Sequence, residues 1–217
     1  MLYFVDRHNR SQFAGQIEEM YRIRHRIYVD ERGWKAIAKP DGREIDQFDT
    51  EDALYILALD DCGAVMGGTR LLPTTGPHLM RDVFAHTVTW GRVPCDARIY
   101  EISRYFVWGN LRREARAKLV HELLCGVLEF AMERGISHLS GVFDTFFIPR
   151  FLEGNWKIHH LGLPTEYPEG VCASFMLEVD RARLTQMHER FGIAGPSLFY
   201  SHFPPAYIDR RADVIAA

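Results

Sequence analysis

The chain has 217 residues, 47% hydrophobic and 25% charged, a composition typical of a globular protein with one substantial core. Its formal net charge of −3 argues against a protein that binds duplex nucleic acid by neutralising phosphates. The cysteines form no C-x-x-C pair, so we expect reduced thiols and neither a disulfide framework nor a zinc site. No signal peptide is evident and no apolar run is long enough to span a membrane, so we expect a cytoplasmic protein without a membrane partner.

The first fifty residues combine one helix with one long irregular segment. Leu2–Val5 is predicted as a short strand, and an apolar stripe predicts a helix over about Gln12–Tyr28 with Ser11 as its N-cap. Glu31–Asp52 has no regular period, and a loop of that length in a compact domain is typically functional or mobile.

The remaining chain mixes strands and helices without strict βαβ alternation. Strands are predicted at Leu54–Leu59, Ala64–Leu72, Ile99–Val107, His138–Phe143, Trp156–His160 and Cys172–Val179. Helices are predicted at Arg112–Glu133, in a short segment ending near Leu152, and at Arg181–Phe191 with Asp180 as N-cap. The segment Pro73–Pro94 and the tail after Pro196 are predicted to be irregular. The pattern predicts an α/β fold, a three-layer α/β/α sandwich around a mixed, mostly antiparallel sheet.

The strand Ile99–Val107 carries charges that a buried strand does not normally hold. Strict alternation places Glu101 and Ser103 on one face of the sheet and Arg104 on the other. An unpaired buried charge is costly, so each should have a partner or face a wet cleft. A structural ion-pair network and a functional site fit this segment equally well. Arg70, at the end of a glycine-containing strand, leaves the same choice open, although a strand-end arginine taken alone is more often a surface residue.

The irregular segment before the sheet contains acids and an isolated tryptophan. Asp46 and Asp49 are either solvated loop acids or part of an arginine-paired network, because a metal loop usually offers more oxygen ligands. Trp34 is either a core anchor or a lid residue that stacks on a base or a cation. His121-Glu122 lacks the second histidine of a zinc-protease helix, and no metal site is expected.

These unusual residues together resemble one family, the acyl-homoserine-lactone (LuxI-type autoinducer) synthases. The positions that follow the family pattern, in order, are Arg24, Tyr28, Trp34, Asp46, Asp49, Arg70, Phe84, Glu101, Ser103 and Arg104. Tyr28 stands where the family usually has Phe, so we expect an altered pocket contact and the same chemistry. The resemblance extends more loosely to Gly154-Asn155-Trp156 and fades in the last fifty residues.

The resemblance implies an acyltransferase with a fold like that of the GCN5-related N-acetyltransferases. Such an enzyme transfers an acyl group from a thioester to the amine of S-adenosylmethionine and then lactonises the product. Methylthioadenosine and an N-acyl-homoserine lactone, a quorum-sensing signal, are released. Both reactants are substrates, and no cofactor is expected. We expect a monomer with a single domain over residues 1–217, comprising a helix and mobile S-adenosylmethionine loop at about 11–52 and a sheet and acyl-binding region at about 53–195.

The resemblance also assigns roles to residues. The expected catalytic residues are Glu101, Ser103 and Arg104, with Glu101 either the general base or a holder of an arginine, and backbone N–H groups near Ser103–Tyr105 as oxyanion donors. S-adenosylmethionine is expected to contact Arg24, Tyr28, Trp34, Asp46, Asp49, Arg70 and Phe84. Within that set, the aspartates suit its positive charge, Arg24 or Arg70 its carboxylate, and Trp34 its sulfonium or adenine.

The acyl group is expected in a pocket formed by Ser140, Phe143, Phe147 and Phe151. Aromatic crowding favours a short, branched or aryl group, although such a stripe is more often plain core. The donor is acyl-acyl carrier protein or, slightly favoured by the aromatic region, acyl-coenzyme A. Either donor could meet basic residues at Arg112, Arg113, Arg116, Arg150 and Lys157.

Two other functions remain open. A GCN5-related acyltransferase acting on another amine would lack the charged set that precedes the sheet, and it would normally carry a glycine-rich pyrophosphate loop, which is absent here. A non-catalytic ligand sensor would be expected to have a degraded charged set, whereas only Tyr28 departs from the pattern.

Overall fold

A computed structural model describes residues 1–194 and 196–199 of the chain. Its strands are β1 (Leu2–Val5), β2 (Leu54–Leu59), β3 (Val65–Pro73), β4 (Ile99–Val107), β5 (His138–Asp144), β6 (Ile158–His160), β7 (Thr165–Tyr167), β8 (Gly170–Glu178) and β9 (Leu198–Phe199). Its helices are α1 (Ala14–Arg24), α2 (Leu79–Asp82), α3 (Arg113–Glu133), α4 (Ile148–Glu153) and α5 (Arg181–Phe191). Within the described ranges, no helix is long and apolar enough to cross a membrane.

The strands form one sheet in the order β6-β8-β5-β4-β3-β2-β1-β9, and β7 pairs with β8 beside that path. The pairs β4–β5 and β1–β9 are parallel, and the other pairs are antiparallel. The predicted mixed, mostly antiparallel sheet is therefore confirmed.

Helices cover both faces of this sheet. On one face, α3 packs through residues such as Leu128 against β2 and its neighbours, including Ile56, and α5 packs against α3 through residues such as Met187. On the other face, α1 packs through residues such as Met20 against Leu57 of the same strand. Because alternate residues of β2 enter opposite cores, the strand needs apolar residues at nearly every position. The three-layer α/β/α arrangement is confirmed.

The N-terminal helix differs from the prediction at both ends. Ser11 lies inside a 3-10 turn, Arg10–Phe13, and caps nothing, so its predicted role is wrong. Beyond α1 the chain continues as a π-helical turn, His25–Glu31, in place of an α-helix ending near Tyr28. Such turns are common at functional sites because they re-aim side chains without breaking the helix.

The other predicted helices and strands are present with small shifts at their ends. Asp180 caps α5 as predicted, its carboxylate accepting the N–H of Ala182 at 2.9 Å. The short elements α2, β7 and β9 lie in stretches that were predicted to be irregular or left unassigned. Each has only two to four residues, too few to produce a recognisable hydrophobic period. The predicted loop-like tail beyond Phe199 lies outside the described residues.

Strand β4 is where the sheet opens. It pairs with β5 only through Ile99–Glu101, and beyond that point the two strands separate. On its other side, Gly68 of β3 lies opposite Phe106 and Arg70 opposite Ser103, so β4 has one extra residue between these pairs. Arg104 adopts a left-handed conformation there, with φ of 51°. This β-bulge redirects the side chains that follow it.

Candidate active site

The bulge brings Arg104 to the same side of the sheet as Ser103. Arg104 Nη2 donates to Asp46 Oδ2 at 2.9 Å. Arg70 donates to Asp46 Oδ1 at 2.5 Å and through Nε to Ser103 Oγ at 3.2 Å. The prediction from strict alternation, which placed Arg104 on the opposite face, is therefore wrong. It fails because a bulge shifts the two-residue period by one position.

Three arginines and three carboxylates form a connected ion-pair network on this side of the sheet. Its members are Arg24, Glu44, Asp46, Asp49, Arg70 and Arg104. Arg24 binds Asp49 through two hydrogen bonds of 2.8 and 2.7 Å, and Arg104 binds Glu44 at 2.9 Å. Because positive and negative groups are equal in number, the network can be buried without an uncompensated charge.

Two carboxylates of the network, Asp49 and Glu44, are held ionised by their arginine partners. Burial alone would raise the pKa of Asp49, but Arg24 and Arg70 hold that pKa well below its ordinary value. Burial likewise opposes ionisation of Glu44, and Arg24 and Arg104 overcome it and lower the pKa. The fixed charges are therefore present at neutral pH before any ligand binds.

The members of the network differ in how far their side chains are exposed to solvent. The side chains of Arg24, Asp49 and Arg70 are fully buried, whereas Asp46 is 14% exposed and Arg104 is 8% exposed. Of these residues, only Asp46 and Arg104 line the cavity that also contains Ser103, so a ligand in that cavity would not touch Arg24, Asp49 or Arg70 directly. Asp49 borders a separate cavity beside Arg7 and Arg10. Of the alternatives left open for the loop acids, the arginine-paired network is the one observed.

Glu44 is a network residue that the sequence reasoning missed. It is 1% exposed and links Arg24 to Arg104. The sequence signal for it is the acid-rich run from Glu44 to Asp49.

The cavity beside the network has a volume of about 280 Å³. Its charged wall contains Asp46, Ser103 and Arg104, and its aromatic wall contains Tyr28, Trp34, Phe48 and Phe84. Its apolar part contains Leu79, Val83, Val142, Phe143, Phe147 and Cys172. We call this space the charged cavity. It brings together most of the residues predicted to bind S-adenosylmethionine and two of those predicted for the acyl group.

The tyrosine that departs from the family pattern sits at the centre of the aromatic wall. Tyr28 stacks on Trp34 with ring centroids 5.0 Å apart. Its hydroxyl donates to the carbonyl oxygen of Tyr105 at 3.2 Å, just beyond the bulge. The extra oxygen therefore ties the π-helical turn to β4, and the ring remains available to the cavity.

Glu101 does not reach the charged cavity. Its two oxygens accept the backbone N–H groups of Leu79 and Met80 at 2.8 and 2.7 Å. Burial raises the pKa of this carboxyl, and the two N–H groups partly oppose that rise. The idea that Glu101 holds Arg70 or Arg104 does not match these contacts, since both arginines bind other acids. Glu101 instead fixes α2, whose Leu79 forms part of the cavity wall.

The predicted acyl pocket is divided in the structure. Phe143 and Phe147 line the charged cavity, whereas Ser140 and Phe151 are buried behind it. Phe151 packs on Phe143 with centroids 5.1 Å apart and belongs to the core, so it does not line the charged cavity itself. Among the three predicted aromatic residues, only Phe151 is a core residue that does not reach the cavity.

A second cavity of about 610 Å³ lies beside the end of β4, between the start of α3 and the segment that follows β5. We call it the strand cleft. Its basic residues are Arg32, Arg116 and Arg150, and Arg116 also donates to the carbonyl groups of Val107 and Gly109 at 3.0 and 2.8 Å. Lys157 instead pairs with Glu178 at 2.9 Å. Three residues, Arg32, Tyr105 and Phe147, line both cavities, so the two spaces adjoin beside the bulge.

Across the residues that the structure describes, no group of three or more His, Cys, Asp or Glu side chains could hold a metal ion. The cysteines at 62, 95, 125 and 172 are free thiols.

The fold built on this sheet is shared with an acyltransferase of distant sequence. An acyl-CoA N-acyltransferase from Pseudomonas aeruginosa has this fold, with a TM-score of 0.55 over 82% of this chain and 99% of that one. Sequence identity to it is 13%, so the likeness concerns the fold alone.

The sequence comparisons are more specific. The autoinducer synthase family pattern matches residues 8–187. The isovaleryl-homoserine lactone synthase of Bradyrhizobium diazoefficiens is 36% identical over 216 residues, covering 100% of this chain and 93% of that protein. The structure of a CoA-dependent acyl-homoserine lactone synthase, BjaI, with SAM and isopentyl-CoA superposes with a TM-score of 0.87 at 34% identity, covering 99% of both chains. The chain belongs to the autoinducer synthase family and is an acyltransferase, as the ten-residue resemblance predicted.

Proposed function

We propose that this enzyme transfers an acyl group from an acyl-coenzyme A to the amine of S-adenosylmethionine and then closes the lactone ring. The main observation in support is that the charged cavity and the strand cleft adjoin beside the β4 bulge. A two-substrate transfer needs one site for each reactant and a common point where they meet. The relatives whose names specify an acyl-homoserine-lactone synthase support this assignment.

S-adenosylmethionine is assigned to the charged cavity. Asp46 suits its ammonium group, and Arg104 suits its carboxylate, because both side chains reach the cavity while their partners hold them in place. The stacked pair of Tyr28 and Trp34 suits the sulfonium or the adenine. In this scheme the buried residues of the network position Asp46 and Arg104 and do not touch the ligand.

The acyl transfer takes place at the bulge. The ammonium group first gives one proton to water, and the neutral amine nitrogen then attacks the thioester carbonyl carbon. The carbon–sulfur bond breaks, and the departing sulfur takes the proton that the nitrogen gives up and leaves as the thiol. The developing oxyanion needs preorganised donors, and Arg104 and Tyr105 have no strand partner on β3 or β5. We assign their backbone N–H groups to this role. Glu101 enters as a positioning residue, because it fixes α2 and does not touch the cavity.

Lactonisation follows without further catalytic groups. The carboxylate oxygen attacks the γ-carbon, and the sulfonium leaves as methylthioadenosine. This internal displacement depends mainly on holding the molecule folded, which a cavity with fixed charges at one end can do. We propose that neither step needs a metal or an organic cofactor, so a chelator should leave turnover unchanged.

The acyl group and the donor are assigned from the same surfaces. The rings of Phe143 and Phe147 close the apolar part of a cavity of about 280 Å³, which favours a short or branched group. Arg116 and Arg150 at the strand cleft suit the phosphates of coenzyme A. The named relatives, an isovaleryl-homoserine lactone synthase and a CoA-dependent acyl-homoserine lactone synthase, agree with both choices. Since such substrates are made inside the cell, we place the enzyme in the cytoplasm.

The test is a direct assay of all products. Purified protein is incubated with S-adenosylmethionine and a panel of straight and branched acyl-coenzyme A and acyl-carrier-protein thioesters, and products are identified by mass spectrometry. We expect equal amounts of free thiol and methylthioadenosine, with an N-acyl-homoserine lactone, and fastest turnover with a short branched acyl-coenzyme A. Free thiol without methylthioadenosine would instead indicate an acyltransferase acting on another amine. Saturable S-adenosylmethionine binding without turnover would indicate a sensor.

A further inference from the structure

Three side chains from separate parts of the chain form a bridge across the charged cavity. Arg32 follows the π-helical turn, Asp144 ends β5, and Tyr167 ends β7. Arg32 Nη1 donates to Asp144 Oδ2 at 3.0 Å, and the Tyr167 hydroxyl donates to Asp144 Oδ1. We call this group the Arg32 bridge. It links the N-terminal loop to the far half of the sheet, beyond the point where β4 and β5 separate.

Aromatic rings surround the guanidinium of the bridge. It lies between 5.2 and 5.8 Å from the ring centroids of Tyr28, Trp34, Phe146 and Phe147. The Arg32 side chain is 26% exposed and that of Asp144 is 13% exposed, so the ion pair is shielded more than a surface pair. Two hydrogen-bonded partners and four ring contacts hold this cation in one place.

The position of Arg32 matters because it lines both cavities. Of the three residues common to the charged cavity and the strand cleft, only Arg32 carries a charge. Acyl transfer requires the thioester carbonyl carbon to come within about 3–3.5 Å of the attacking amine. The acyl group must therefore pass the place that the guanidinium now occupies or borders.

We propose that Arg32, fixed by Asp144 and Tyr167, is a positioning residue that separates the two cavities and sets where the thioester carbonyl stops beside the bulge. The inference rests on the proposed function and adds residues to it that the family resemblance did not include. The bridge holds the aromatic wall against the acyl group and keeps water from the thioester. Without it, water oxygen can add to the carbonyl carbon, the carbon–sulfur bond breaks, and the thiol leaves with a proton from water.

The principal variant is Arg32→Gln, which removes the charge and keeps most of the length. We expect the KM for the acyl thioester to rise about ten-fold, while the KM for S-adenosylmethionine changes less than about two-fold. The ratio of free thiol to methylthioadenosine should rise above the wild-type value of one, which a purely structural role would not cause. Arg32→Lys, which keeps the charge, should restore part of the coupling.

The other bridge residues give an independent check. Asp144→Asn and Tyr167→Phe should raise the same ratio by a smaller amount. The double variant Arg32→Gln/Asp144→Asn should be no worse than Arg32→Gln alone, because both act through one bridge. Arg22→Gln is the matched control. Arg22 also pairs with a carboxylate, Glu18 at 2.7 Å, but it lines neither cavity, so its kinetics should match the wild type.

The outcomes separate the bridge from the proposed function. The bridge is overturned if the wild type turns over while Arg32→Gln and Tyr167→Phe keep its thioester KM and its product ratio of one. It is also overturned if Arg32→Gln weakens both substrates equally, since that indicates general damage. If Arg32→Gln does not fold, Tyr167→Phe carries the same test by removing one hydroxyl. A wild type that releases no methylthioadenosine with any thioester contradicts the proposed function instead.

Discussion

The charged side chains of the site are held by one another before a substrate arrives. Arg24 and Arg70 lie behind the wall and fix Asp46 and Asp49, and Glu44 orients Arg104. A site with preset charges needs little reorganisation when a zwitterionic ligand enters. The same arrangement makes the network sensitive to the loss of any member, since the partner left behind is a buried charge.

Asp49→Asn should therefore destabilise the fold strongly. It leaves the fully buried Arg24 short of one charge partner, and breaking a buried pair typically costs about 3–5 kcal/mol. Urea denaturation should show this loss in the free energy of unfolding. Asp52→Asn is the control, because Asp52 is 80% exposed and pairs with Arg7 only at 3.5 Å. Equal stability of the two variants would contradict the structural importance of the network.

The network also predicts how stability depends on pH. The pKa values of Asp49 and Glu44 are lowered in the folded state, so both stabilise the fold fully above their unfolded pKa values of about 4. That stabilisation is lost progressively as pH falls through the unfolded values towards the folded ones. We expect the free energy of unfolding to fall with acidification below about pH 5, and more shallowly in Asp49→Asn. If the free energy of unfolding varied with pH equally in the wild type and in Asp49→Asn, this role of the network would be contradicted.

Glu101→Gln distinguishes a base from a positioning residue. An amide offers one acceptor where Leu79 and Met80 together present two N–H donors, so α2 should loosen. We expect Glu101→Gln to lower kcat and Tm and to raise the KM for S-adenosylmethionine. The fall in rate at acid pH should remain as in the wild type. Loss of that fall in rate, with unchanged Tm and S-adenosylmethionine binding, would make Glu101 the general base after all.

At the level of elements, three irregular features build the site: the π-helical turn, the β4 bulge and the short helix α2. The turn aims Tyr28 at β4, the bulge brings Arg104 beside Ser103, and α2 supplies Leu79 to the cavity wall. Regular elements would place these side chains in other directions. Helix α3 and strand β2, by contrast, are regular and supply the core that supports the site.

The loop predicted to be mobile should be mobile only in part. From Glu44 onward it is held by a backbone hydrogen bond to Tyr21 at 3.0 Å and by the buried network, whereas residues 33–43 are largely exposed. We expect S-adenosylmethionine to slow amide hydrogen exchange in residues 33–43 and to change residues 44–49 little. Mass spectrometry of peptides with and without the ligand measures this. Uniform protection across 33–49 would indicate that the whole loop closes.

At the level of the whole molecule, the site lies where the sheet divides. Both cavities are lined by residues of one chain, and no described part of the site calls for a second copy. The expectation of a monomer stays a prediction, and light scattering on the purified protein tests it. A dimer whose turnover rises with protein concentration would contradict it.

The sequence by itself determined the family, the three-layer fold and most of the charged set. Long helices and strands bury one or two faces, so their apolar residues recur with a period that can be read from the sequence. Ten characteristic residues in order were enough to assign the chemistry. The charged residues of β4, Glu101 and Arg104, did indicate the site, because burying a charge is costly unless it has a partner.

The tertiary structure alone decided how these residues are used. It shows which arginines form internal ion pairs and that Glu101 binds the backbone of α2. It also shows that Phe151 belongs to the core and that Arg32 lines both cavities. Sequence spacing does not give the ion pairs or the position of Arg32, since these depend on contacts between segments from about 20 to more than 110 residues apart. A one-residue bulge was enough to reverse the predicted direction of Arg104. Local periodicity fixes which face a residue takes, but only long-range packing fixes the partner it finds there.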